Sequence, residues 1–139
     1  MHLLDSDTLT HWYGGHPRVL QHYQALAERE VGTTIISRIE VLRGRYDHLV
    51  KASTSEDFLR AQDWLVRTEE LLAQIEVVLL NNASLTIFQR LRRTKGLKKI
   101  GRADLLIASI ALAQQATLVT RNLRHFRQVP NLKAVNWVD

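Results

Sequence analysis

Short β-branched or apolar runs and longer stretches of helical spacing take turns along this chain. Residues 2–5 read as a short strand closed by polar residues, and Asp7 offers an N-cap for a brief helix through His11 and Trp12 that Gly14-Gly15 breaks. Pro17 suits the first turn of the next helix, in which Val19, Leu20, Tyr23, Leu26 and Ala27 keep helical spacing until Gly32 ends it. Thr33-Thr34-Ile35-Ile36 is β-branched throughout and predicts a second strand, and Ser37-x-x-Glu40 then spells a capping box for a helix running to Gly44. Ser53 and Thr54, with Glu56 and Asp57, open a long helix whose Phe58, Ala61, Leu65, Leu71 and Leu72 mark one face. Residues 75–80 predict a third strand and residues 84–93 the helix after it. Residues 100–113 are apolar almost all the way round a helix, so that helix belongs in the core. Residues 116–120 and 132–137 predict the fourth and fifth strands.

Strands joined by helices argue a parallel sheet covered on both faces, because a parallel crossover places a helix on the sheet. The expected architecture is a three-layer α/β/α domain with a central, mostly parallel sheet. No repeat, linker or low-complexity tract divides residues 1–139, and one domain of that length can bury a core without staples.

Composition narrows the chemistry. Cysteine is absent, which excludes a disulfide framework and thiolate zinc sites, and the six histidines show no tight metal spacing. No apolar run is long enough to span a membrane and no targeting segment is evident, so a cytoplasmic protein is expected. The net charge of +5 favours polyanionic partners. Its distribution matters more, since residues 90–102 carry seven Arg or Lys and no acid, among them Arg93, Lys95, Lys98, Lys99 and Arg102. Arg121, Arg124 and Arg127 form a second cluster. A solvated helix face is the plainer explanation of such a run, and a surface for a nucleic-acid backbone the more specific one.

In parallel sheets ligands bind beyond the carboxyl ends of the strands. That rule gathers Asp5 at the end of the first strand, Glu40 after the second and Asn122 after the fourth; Asp104, in the first turn of the core helix, is assumed to converge on the same edge. Each has a structural alternative: an Asx turn for Asp5, half of a capping box for Glu40, an N-cap for Asp104 and for Asp7. Three carboxylates in one place would repel one another. A hard divalent cation removes that repulsion, and Mg²⁺ or Mn²⁺ suits all-oxygen sites that keep several waters. No phosphate-binding loop, nucleophile elbow or dinucleotide fingerprint competes with this reading.

The opening Leu3-Leu4-Asp5-Ser6-Asp7-Thr8 resembles the L-L-D-T-[ND] start of PIN-domain proteins, and Ile39-Glu40-Val41-Leu42-Arg43-Gly44 resembles their E-L-x-x-G segment. Ile100-Gly101-x-x-Asp104-Leu105-Leu106-Ile107-Ala108, then Ala116-Thr117-Leu118-Val119-Thr120, Phe126 and the closing Val135-Asn136-Trp137, is similar to the family's carboxyl-terminal half, with a length and ending like those of VapC toxins. The resemblance implies a PIN-like fold and a metal-dependent endoribonuclease whose carboxylates are Asp5, Glu40 and Asp104. Asp7, Thr120 and Asn122 would be auxiliary to them, and the basic run, with Arg93, Lys95, Lys98, Lys99 and Arg102, would hold the RNA backbone. It also implies homodimers and a VapB-type antitoxin that occludes the site. The chain departs from the pattern at Asn122, where the family often carries a fourth acid; an amide can supply an oxygen but no charge. Two other function classes stay open: an RNA-binding module on the same fold without catalysis, and an interaction protein in which the acids are caps.

Overall fold

The computed structural model describes residues 1–27 and 30–139. In chain order the elements are β1 (His2–Leu4), α1 (Ser6–Tyr13), α2 (Pro17–Gln24), β2 (Val31–Thr34), α3 (Ile35–Val50), α4 (Ser55–Leu72), β3 (Glu76–Val78), α5 (Asn82–Arg92), α6 (Arg102–Ala113), β4 (Thr117–Val119), α7 (Leu123–Phe126) and β5 (Lys133–Val135). The strands form one sheet in the order β3-β2-β1-β4-β5, and every pairing is parallel, with Leu3 opposite both Gly32 and Leu118.

Successive side chains of a strand point to opposite faces, and here that alternation builds two cores. Leu4, Val31 and Val119 face one way, into a cluster with Leu9 and Trp12 of α1, Val19 of α2, Val41 of α3 and Leu72 of α4. Leu3 and Leu118 face the other way. Leu118 meets Phe88 and Leu91 of α5, Leu105, Ile107 and Ala108 of α6, and Phe126 of α7, while Leu3 meets Ile110 and Ala111 of α6. The result is the expected three-layer α/β/α arrangement. With both faces covered, the strands need no polar alternation, which is why they read as nearly continuous apolar or β-branched runs.

Element existence follows the sequence pattern closely, and several boundaries do not. The second strand begins earlier than its β-branched run suggests and ends at Thr34, whose hydroxyl accepts the Ser37 backbone N–H at 3.0 Å and so starts α3. Ile35 and Ile36 are helical. β-branched residues lose rotamers against a preceding helical turn, and in a first turn none exists to crowd them. The Ser37/Glu40 capping box is therefore absent and Glu40 lies in the second turn of α3, which runs through Gly44 to Val50. The box forms instead at Asn81, which exchanges hydrogen bonds with Ser84, so α5 begins at Asn82 rather than at residue 84.

Gly32 is not a helix stop. It sits inside β2, where an added Cβ would stand 2.7 Å from the Glu76 carbonyl oxygen of β3. The glycine is there for close strand approach. The helix expected to reach it ends at Gln24, and the part of that expectation covering residues 28 and 29 lies outside the described residues. The third, fourth and fifth strands are each trimmed to three residues. Among the described residues no helix is long and apolar enough to cross a membrane.

Candidate active site

Asp5 follows β1 directly and is both an end and a beginning. Its backbone N–H continues the sheet by donating to Val119, and its carboxylate accepts the Thr8 backbone N–H at 2.9 Å, making Asp5, not Asp7, the N-cap of α1. The Thr8 hydroxyl donates to the Val119 carbonyl oxygen at 3.2 Å, and the Thr120 hydroxyl lies near enough to the carboxylate to favour its charged form. Burial nevertheless wins: desolvation holds the Asp5 carboxyl above the ordinary aspartate range, against the opposing Thr120 and Thr8 hydrogen bonds and with a further upward push from the charge of Asp7.

Glu40 approaches from α3, freed from any capping role. Its carboxyl is also raised, first by partial desolvation and then by the negative charges of Asp104 and Asp5. The residue itself is exposed, so the desolvation is that of a group at the mouth of a cleft rather than of a buried one. That cleft, of about 280 Å³, lies between α1 and α3 and is lined by Ser6, Asp7, Thr10, Glu40, Val41, Gly44 and Arg45.

Asp104 comes from α6. A helix that leads into a parallel strand runs antiparallel to the sheet, so its first turn lies at the strands' carboxyl edge, beside Asp5 and Glu40. The capping alternative fails here: the N-cap of α6 is Gly101, with no side-chain cap bond. Asp104 instead meets His125, whose Nε2 stands 3.1 Å from Asp104 Oδ2. An ionised carboxylate can only accept, so the imidazole Nε2–H donates.

Glu40 thus feels the charges of both Asp104 and Asp5, and among the described residues neither Asp5 nor Glu40 has a cationic partner within ion-pair distance. The donors are all oxygen acids, the chemistry a hard cation prefers. No three His, Asp or Glu side chains among the described residues close on one point tightly enough to hold an ion unaided.

Asp7 is at the rim rather than at the centre, half exposed, 3.7 Å from His11 Nδ1 and 3.9 Å from an Arg121 nitrogen. Arg121 in turn donates to Asp139. Thr120 is fully buried, and its Oγ1 accepts the backbone N–H of exposed Asn122 at 3.0 Å. Arg93, Lys95, Lys98, Lys99 and Arg102 are all exposed, at the end of α5, in the connection to α6 and at the start of α6. The guanidinium carbons of Arg92 and Arg102 each stand 5.5 Å from the Phe88 ring centroid, beside a shallow cleft of about 230 Å³. A cavity of about 300 Å³ at the opposite, amino edge, lined by Ala111, Leu112, Gln115, Ala116, Asn131 and Lys133, has no acid in its wall.

Two contributors escape the sequence reading. Thr8 had a signal, since it stands three residues after Asp5, the spacing at which a cap accepts a backbone N–H. His125 had none: it lies 21 positions from Asp104 and reads as one more member of a basic cluster.

Comparison with known proteins places the fold. The family model described as PIN domain matches residues 2–132. Ribonuclease VapC2 of Rickettsia felis is 58% identical over 38 residues, a stretch that spans 27% of this chain and 28% of that protein's length. Over nearly all of both chains, VapBC2 of Rickettsia felis bound to a DNA fragment from its promoter is 27% identical, with a TM-score of 0.79 and coverage of 98% of each chain. DNA-bound VapBC of Salmonella typhimurium shares the fold at 21% identity and a TM-score of 0.80, covering 98% of this chain and 97% of that one.

Proposed function

Because the chain belongs to the PIN domain family, we propose that it is a metal-dependent endoribonuclease of the VapC toxin type, hydrolysing RNA phosphodiester bonds in the cytoplasm and held in check by a VapB-type antitoxin. The observation that carries the reading is that Glu40 feels the charges of both Asp104 and Asp5 at the carboxyl edge of the sheet, with no cation among the described residues within ion-pair distance of Asp5 or Glu40. The similarity to VapBC2 of Rickettsia felis and to ribonuclease VapC2 supports the toxin type and the antitoxin. A homodimer belongs to the same reading.

Asp5, Glu40 and Asp104 would hold Mg²⁺ or Mn²⁺. Mg²⁺ keeps several waters and takes few protein ligands, which suits carboxylates too far apart to enclose an ion by themselves. When bound, the ion makes water more acidic and offsets charge on the phosphate under attack. The chain's own part is positioning. The Thr8 backbone N–H fixes the Asp5 carboxylate, and the stacking on Phe88 steadies Arg102 at the start of the helix that carries Asp104. Arg93, Lys95, Lys98, Lys99 and Arg102 neutralise backbone phosphates without reading bases.

The test is cleavage of RNA by the purified chain in Mn²⁺ and in EDTA. Cleavage in Mn²⁺ and none in EDTA is expected, and equal cleavage in both would overturn the reading. The exposed amide at Asn122 favours one second reading, an RNA-binding module; retention of RNA with no cleavage in any divalent cation is its signature.

A further inference from the structure

We propose that His125 is a positioning residue for Asp104, its donated hydrogen bond fixing the carboxylate so that it faces the cation rather than swinging away from Asp5 and Glu40. The proposal rests on the metal-site reading above. Asp104 makes no cap bond, and among the described residues His125 is its one charged or polar partner by ion-pair distance. Left alone, a partly exposed Asp in a first helical turn is free to choose among rotamers. Repulsion from two other carboxylates would select those that turn it outward.

His125 is built to prevent that. It lies on α7, a single turn pinned to the body of the fold by Phe126, which is buried among Leu105, Ile107 and Ala108 of α6, the helix that carries Asp104. The imidazole packs edge-on against the Phe126 ring, at 5.4 Å and 86°. Both ends of the 3.1 Å contact are therefore anchored to one cluster, and the donor reaches one oxygen, Oδ2, of the carboxylate. A neutral imidazole suffices, because the Nε2–H donates without charge. Hydrogen bonds to metal-binding carboxylates from such neighbouring groups tune affinity by tenfold or more.

Calorimetric titration of the full chain with Mn²⁺ tests this, on the unaltered protein and on His125→Ala, His125→Gln and Asp104→Asn. The expected result is about a tenfold loss of Mn²⁺ affinity in His125→Ala, near-native affinity in His125→Gln, whose amide can donate from a similar distance, and cooperative metal-free unfolding in both. Cleavage by His125→Ala should recover as Mn²⁺ is raised. Native affinity in His125→Ala beside a weakened Asp104→Asn would overturn this proposal alone. An equal loss in His125→Gln would also overturn it, because the ring and not its hydrogen bond would then matter. Native affinity in Asp104→Asn, or no Mn²⁺ binding by the unaltered chain, would overturn the metal site itself and this proposal with it.

Discussion

At the scale of single residues, two carboxylates separate structural duty from chemistry in opposite ways. Asp104 caps nothing, so Asp104→Asn removes a charge from a first turn and little else; a helix-terminal charge of this kind contributes under about 1 kcal/mol. Cleavage in Mn²⁺ should vanish while the melting temperature barely moves, and wild-type turnover in the variant would remove Asp104 from the site. Asp5 does cap, and Asn caps equally well, so Asp5→Asn keeps the Thr8 hydrogen bond while deleting a partly buried charge. Cleavage should again be lost, yet the metal-free variant should melt higher than wild type at neutral pH. The sign follows from the raised Asp5 carboxyl. Its favourable contribution is fully present below the ordinary aspartate value of about 3.9 and is lost as pH rises through the higher folded value. Melting curves in EDTA across that range should therefore show wild type falling behind Asp5→Asn as pH rises, and parallel curves would show that burial of Asp5 costs nothing.

At the scale of elements, the placement of Glu40 depends on how α1, α3 and α4 are held together. Arg45, five residues after Glu40, has its guanidinium 5.2 Å from the Tyr13 ring of α1 and 4.7 Å from the Trp64 ring of α4, and its Nε donates to Thr68 at 3.1 Å. One side chain thus ties three helices. Partly desolvated cation–π contacts contribute about 1–2 kcal/mol, so Arg45→Ala should lose roughly that much stability in urea unfolding. Arg45→Lys should not restore it, since an ammonium cannot lie flat on two rings and donate through Nε as well. Equal stability of all three proteins would reduce the stack to coincidence. None of this was legible beforehand. Arg45 is one basic residue among many, and its partners lie 32 and 19 positions away in sequence. Caps and turns, whose donors and acceptors are three residues apart, were legible in kind, but the choice among nearby Ser, Thr, Asp and Asn depends on where the sheet ends.

At the scale of the molecule, charge is uneven: acids are spread over several elements, α4 above all, while exposed cations gather from the end of α5 to the start of α6. Replacing Lys95, Lys98 and Lys99 together with Gln should weaken RNA binding about equally across sequences. It should also flatten the slope of log affinity against log salt by roughly one for each phosphate no longer neutralised. An unchanged slope would mark the patch as solvated surface. Stability should not move, because the three side chains are exposed and none takes part in an ion pair among the described residues.

The sequence by itself determined the layer architecture, the parallel sheet and the core helix, because hydrophobic periodicity is local and each run had to be buried somewhere. It also marked Asp104 as a carboxylate on an apolar helix, and Asp5 and Glu40 as acids just past the ends of strands. The tertiary structure alone decided that β2 stops at Thr34 and so moves Glu40 from a cap into the second turn of α3. It alone decided that Asp5 rather than Asp7 caps α1, and that His125 answers Asp104 across 21 residues. Those outcomes turn on which groups meet at one edge of a sheet, and such meetings are set by strand order and register, which no local pattern contains.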